Sequence, residues 1–115
     1  MNRQIKFRVW HKKSKEWCGT IGLNESISQN VLEYDTDDLV FVQYTGCHDS
    51  SNKEIYEGDI VQYSNGDVIR IGYIEFMSGI FFLNYNDETD EELGYLLVSN
   101  LKVIGNKFER SELLK

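Results

Sequence analysis

The chain has 115 residues, 41% apolar and 27% charged, with a net charge of −7 and no proline. That length is one domain that buries roughly two-thirds of its unfolded surface, and the composition excludes a disordered chain. No apolar run nears the roughly 18 residues of a membrane span. Met1 to Trp10 alternates and is charged instead of carrying a signal-peptide core, so a cytoplasmic protein is expected.

The pattern along the chain is predominantly of period two, with turn signals at short intervals, which predicts a mainly β fold with little helix. Ile5, Phe7 and Val9 alternate with Lys6, Arg8 and Trp10, giving a half-buried first strand. His11 to Lys15 is a charged turn, and Glu16 to Cys18 returns as the second arm of a hairpin. Ser26 to Tyr34 is ambiguous. Ser26 and Gln29 could form a capping box, and Ile27, Val31 and Tyr34 have helical spacing, yet the apolar residues favour a strand in the second half. Asp35 to Asp38 is an acidic turn, and Leu39 to Tyr44 is a central strand, apolar on both faces.

Asp59 to Tyr63 is the next strand, and Asn65-Gly66 suits a type I′ hairpin turn. Val68 to Phe76 returns as a long strand in which Gly72 reads as a bulge or bend. Ile80 to Tyr85, Tyr95 to Val98 and Leu101 to Ile104 complete the set, with an acidic loop, Asp87 to Glu92, between the first two. We expect a single domain over 1–115. An N-terminal β subdomain covers 1–45, and a small SH3-like barrel covers 54–110.

The stretch Gln43 to Tyr63 carries the densest turn chemistry. Gly46 follows the strand ending at Tyr44 and can take the positive φ of its exit. Asp49-Ser50-Ser51-Asn52 is a polar turn whose side chains can bond their own backbone. Ile55 and Tyr56 anchor to the core, Gly58 is the flexible residue of a second turn, and Asp59 can accept backbone N–H groups where the strand of Ile60 and Val61 begins. Glu57 and Asp59 could share a strand face as a catalytic carboxylate pair. No His, Lys or nucleophile is coupled to them by a recognisable motif, and an enzyme is not expected.

Three stretches, Gln4 to Trp17 (QIKFRVWHKKSKEW), Gln43 to Val61 and Lys102 to Leu114 (KVIGNKFERSELL), resemble the YopX family of small phage and prophage proteins. Cys47-His48 departs from the family pattern of an apolar residue followed by Lys. The resemblance implies a mostly-β, phage- or prophage-encoded protein that self-associates, and it carries over no catalytic residue.

Charge is segregated. Residues 1 to 15 hold six basic side chains, Arg3, Lys6, Arg8, Lys12, Lys13 and Lys15, and no acid. The remainder holds six basic and nineteen acidic residues. An acidic body repels phosphate, which disfavours general nucleic-acid binding. The basic segment and the acidic loop residues Asp87, Glu88, Asp90, Glu91 and Glu92 are instead candidate interaction surfaces between copies of the chain or with a host or phage protein. A nucleic-acid module built on the basic hairpin, and an acidic surface that imitates phosphate to block a host protein, are the alternatives.

His11, Cys18, Cys47 and His48 lack paired metal-ligand spacing, and two cysteines are too few for a disulfide framework, so neither a metal nor a cofactor is expected and both thiols are expected free. The seven Tyr, six Phe and two Trp supply core packing more readily than a base-stacking platform, since few basic residues interleave with them.

Overall fold

Two antiparallel sheets, joined through one short strand, make up the computed structural model, which describes residues 5–22, 35–85 and 89–114. The ambiguous segment Ser26 to Tyr34, together with Arg3, Asp87 and Glu88, lies outside these residues. The first sheet has the order β2-β1-β3-β4, from β1 (Lys6–His11), β2 (Glu16–Gly22), β3 (Leu39–His48) and β4 (Glu54–Tyr56). The second has the order β8-β7-β6-β5-β9, from β5 (Asp59–Asn65), β6 (Val68–Met77), β7 (Ile80–Tyr85), β8 (Asp90–Glu92) and β9 (Leu101–Asn106). Among the described residues its ladder ends at β8 and β9, so the barrel expected over 54–110 is not closed by strand pairing.

The strands follow the alternation read from the sequence, and most ends fall within a few residues of expectation. Asp35 to Asp38 is a 3-10 turn (Thr36–Asp38) whose cap is the Asp35 carboxylate, which accepts from Asp37 N–H. The β5–β6 hairpin differs in register from expectation. Asn65 pairs with Val68, so Gly66 and Asp67 are the central residues, and only Gly66 has positive φ. That is the pattern of a II′ turn, not of I′. The I′ pattern occurs instead between β6 and β7, where Ser78 (φ 52) and Gly79 (φ 82) are both left-handed. Gly72 marks no bulge, since pairing runs through it without a shift on both sides. A Cβ there would stand 2.3 Å from the Asn84 carbonyl oxygen, so close backbone approach requires the glycine. Tyr95 to Val98 forms no strand; two 3-10 turns, Leu93–Tyr95 and Val98–Asn100, occupy that stretch.

β4 is the joint. Glu54 and Tyr56 pair with His48 and Tyr44 of β3, and the pleat sends neighbouring side chains to different cores. Ile55 is fully buried in the main core with Val61, Ile74, Leu83 and Leu101 of the second sheet. Tyr56 packs with Val42 and Tyr44 of the first sheet and with Trp17 and Phe108. Burying Ile55 alone stabilises by about 1.5–3 kcal/mol, so the strand holds the two sheets together as well as extending one of them.

The turn at Asp49 ties the same region to β9. The buried Asp49 carboxylate accepts from Ser51 N–H (2.8 Å) and Lys53 N–H (2.9 Å) on one oxygen and from Val103 N–H (2.8 Å) on the other. Burial pushes this carboxyl up, but the three backbone donors outweigh it and hold it below its ordinary range. The expected self-bonding polar turn is present, with a long-range bond added to it.

Candidate functional site

A cleft of about 430 Å³ opens between the two sheets. It is lined by Arg8, Trp17 and Thr20 from β1 and β2, by Glu54, Tyr56 and Asp59 around β4, and by Asn106 and Glu109 at the end of β9. The three stretches that resemble the YopX family therefore meet at one place.

A bulge builds the first wall. Between β1 and β2 the pairing shifts at Val9/Trp10, so Val9 faces Gly19 but Trp10 faces Trp17. Without the shift Trp17 would point to the opposite face from Arg8 and Thr20; with it, all three share a face. Cys18, the extra residue, is buried and donates its Sγ–H to the Val9 carbonyl at 3.5 Å. Desolvation raises its thiol pKa.

Arg8 lies with its Cζ 3.7 Å from the centroid of the Trp17 ring and 5.3 Å from that of Tyr56. The two rings attract the guanidinium through their π faces, and among the described residues it forms no hydrogen bond or ion pair. Its neighbour on the same face, Lys6, is committed differently. Its Nζ bonds Glu54 Oε2 at 2.5 Å and lies 4.9 Å from the Tyr44 ring centroid. Glu54 accepts from the Tyr56 hydroxyl on its other oxygen. Burial raises the Glu54 carboxyl, but the bonds from Lys6 and Tyr56 outweigh it and lower it overall. Burial, with Glu54 alongside, pushes the Tyr56 phenol well above its ordinary value. Lys6 and Arg8 thus face inward as part of the cleft and its support.

Asp59 closes the floor. The Glu57-Gly58 turn, with Gly58 at φ +87, returns the chain so that Tyr56 N–H donates to Asp59 Oδ2 at 2.8 Å. The residue is only 3% exposed, and burial pushes its carboxyl up to about 6. That single backbone bond, with Arg8 and Lys53 nearby, offsets only part of the desolvation. Glu57 does not join it as a carboxylate pair, because it faces the Gln43 N–H (3.5 Å) and does not line the cleft.

The second wall comes from the turn after β9. Asn106 Oδ1 accepts from Phe108 N–H and Glu109 N–H, folding the chain back on itself. This points Glu109 at the first sheet, where its Oε1 accepts from Asn106 Nδ2 and from Trp17 Nε1, both at 2.7 Å. Those two bonds hold its carboxyl below the ordinary range. Phe108 stacks on Trp10 (centroids 5.7 Å apart, 29° between planes) and meets Trp17 edge-on.

The other candidate residues lie apart from this cleft. Lys12, Lys13 and Lys15 are exposed on the β1–β2 loop, with Lys13 paired to Asp38 at 3.5 Å. Asp90 and Glu91 are exposed and Glu92 half-buried on β8, which pairs with β7 and forms the edge of the second sheet, not a free loop. His11 bonds Ser14, and Tyr44 bonds His48. Among the described residues no group of three His, Cys, Asp or Glu side chains is placed to hold a metal ion. The Arg8–Trp17 stack and the parts played by Asn106 and Glu109 were missed by sequence reasoning. Of these, only the Asn106 turn left a signal, in the Gly105-Asn106 pair that ends a strand.

A family model described as YopX protein matches residues 6–115. Among solved structures, the crystal structure of protein EF1440 from Enterococcus faecalis is similar, with a TM-score of 0.65 and 24% identity, covering 96% of this chain and 98% of that one. At that identity the likeness concerns the fold. No curated protein matches the chain.

Proposed function

The chain belongs to the YopX family, and we propose that it is a phage- or prophage-encoded accessory protein that works by protein–protein contact, self-association included, and not by catalysis. The observation that carries this reading is the surface that follows β8. After the acidic edge strand come Tyr95, Leu97 and Val98, exposed by 84%, 64% and 40%. Three large apolar side chains within four residues, bordered by carboxylates, have the composition of a docking surface with a charged rim. The β1–β2 loop offers the complementary charge through Lys12, Lys13 and Lys15. The contact is between unlike surfaces, so copies would join head to tail.

The non-enzymatic reading is supported by how the carboxylates are used. Glu54 is bonded at both oxygens and Glu109 is doubly bonded at one, and neither is coupled to a nucleophile. The variant with both Tyr95→Ser and Leu97→Ser tests the surface. It should fold with an unchanged melting temperature and lose self-association in sedimentation velocity. Unchanged assembly would remove this surface from the proposal.

A further inference from the structure

The cleft between the sheets presents opposite charges on facing walls, and we propose that it binds a small zwitterion of the amino-acid type, with the ligand carboxylate on Arg8 and its ammonium group between Asp59 and Glu109. This inference stands apart from the docking surface and does not depend on it.

Arg8 is the first support. The Arg8 guanidinium, its Cζ 3.7 Å from the Trp17 ring centroid, has a planar N–H fork that matches a carboxylate with two parallel bonds. It lines the cleft with its donors unspent among the described residues. Asp59 is the second. Its Oδ2 is taken by Tyr56 N–H, whereas Oδ1 has no hydrogen bond among the described residues, although the side chain is almost wholly buried and borders the cleft. Oδ1 is not among the sealed-off oxygens without a partner, so it is reached from the cleft, where a ligand donor can meet it. Glu109 is the third: Trp17 Nε1 and Asn106 Nδ2 both donate to Oε1, which leaves Oε2 for a ligand.

Charge selects the ligand class. Glu54 is neutralised by Lys6, so the groups left facing the cleft are Arg8 and Lys53 against Asp59 and Glu109. A balanced pair of each sign suits a dipolar ligand. A phosphate would meet Arg8 but would place its second charge against two carboxylates. The volume of about 430 Å³ falls within the range of small-ligand sites.

The indole N–H of Trp17 bonds Glu109 inside the cleft and serves as the reporter, with Trp10 as internal reference. The full-length protein labelled with nitrogen-15 is titrated with L-alanine, L-leucine, L-phenylalanine and L-glutamine. The N-acetyl and methyl-ester derivatives of each, and inorganic phosphate, are run alongside. The proposal expects a saturable shift of the Trp17 resonance with at least one free amino acid, and about tenfold weaker binding once either charge is removed. Arg8→Gln should abolish the response. Asp59→Asn, which keeps an acceptor for Tyr56 N–H, should weaken the free amino acid and its methyl ester, which both carry the ammonium group, while leaving the N-acetyl form unchanged. Absence of saturation by every amino acid at about 10 mM overturns the proposal, as does equal binding of the N-acetyl form or of phosphate.

Discussion

Trp17 and Glu109, 92 positions apart in the chain, meet through an indole N–H that donates to a carboxylate oxygen at 2.7 Å. The bond lies beside the stack of Phe108 on Trp10, and together these contacts fasten the segment after β9 onto the first sheet. The two should differ in weight. Phe108→Ala should cost about 3 kcal/mol, since it removes a ring packed on two others. Glu109→Gln keeps an acceptor oxygen and should cost under about 1 kcal/mol. Urea unfolding of both variants checks the ranking, and a larger cost for Glu109→Gln than for Phe108→Ala would contradict it.

Asp59 should make stability depend on pH in an identifiable direction. Its carboxyl titrates at about 6 in the folded chain, above its value in the unfolded one, because burial penalises the charge. The stability it contributes is present below the unfolded value and is lost as pH rises through 6. Arg8 and Lys53 oppose this and Asp49 adds to it. Asp59→Asn should therefore gain on the parent protein by about 2–3 kcal/mol between pH 4 and pH 7. Melting temperatures of both across that range test it, and a constant difference would contradict the buried, uncompensated charge.

Asp49 should behave in the opposite sense. Its carboxylate is stabilised by donors from Ser51, Lys53 and Val103, so its contribution is present above the unfolded value and lost as pH falls through the lower folded one. Asp49→Ala leaves three backbone N–H groups without their acceptor and should destabilise by about 2–4 kcal/mol. Hydrogen exchange at Val103 should accelerate in the same variant. Unchanged protection there would mean that the turn does not hold β9.

Gly72→Ala should be among the most damaging glycine substitutions, because its Cβ would press on the Asn84 carbonyl oxygen and part β6 from β7. A loss of about 2 kcal/mol or more is expected. Gly94→Ala meets open space and should stay within about 0.5 kcal/mol of the parent. Chemical denaturation of the pair distinguishes backbone crowding from the general cost of replacing a glycine.

The strands were largely legible because period-two alternation is a local signal. Ile5 to Trp10, Val68 to Phe76 and Ile80 to Tyr85 all lie where that signal put them. The turn at Asp49 was legible for the same reason, as Asp-Ser-Ser-Asn bonds its own backbone. The cleft was not. Trp17 reaches the Arg8 face only because the ladder slips by one residue at Cys18, and alternation cannot reveal a slip. Tyr95 to Val98 misled for a related reason: an apolar run reads as a buried strand unless something shows that no partner covers it. Lys6 and Arg8 were grouped with the basic loop by charge, although strand position placed them against aromatic rings. The Asn65-Gly66 turn was assigned by its dipeptide, while pairing register determined which two residues occupy the bend.

Light scattering of the intact protein at low and high salt tests the central claim most directly. Contact between the lysine loop and the acidic edge predicts a mass above that of one chain at low salt, falling as salt screens the pair. The variant with Lys12→Glu, Lys13→Glu and Lys15→Glu should remain a single chain at both. A monomeric parent protein at low salt, at concentrations up to those of the labelled sample, would contradict self-association outright.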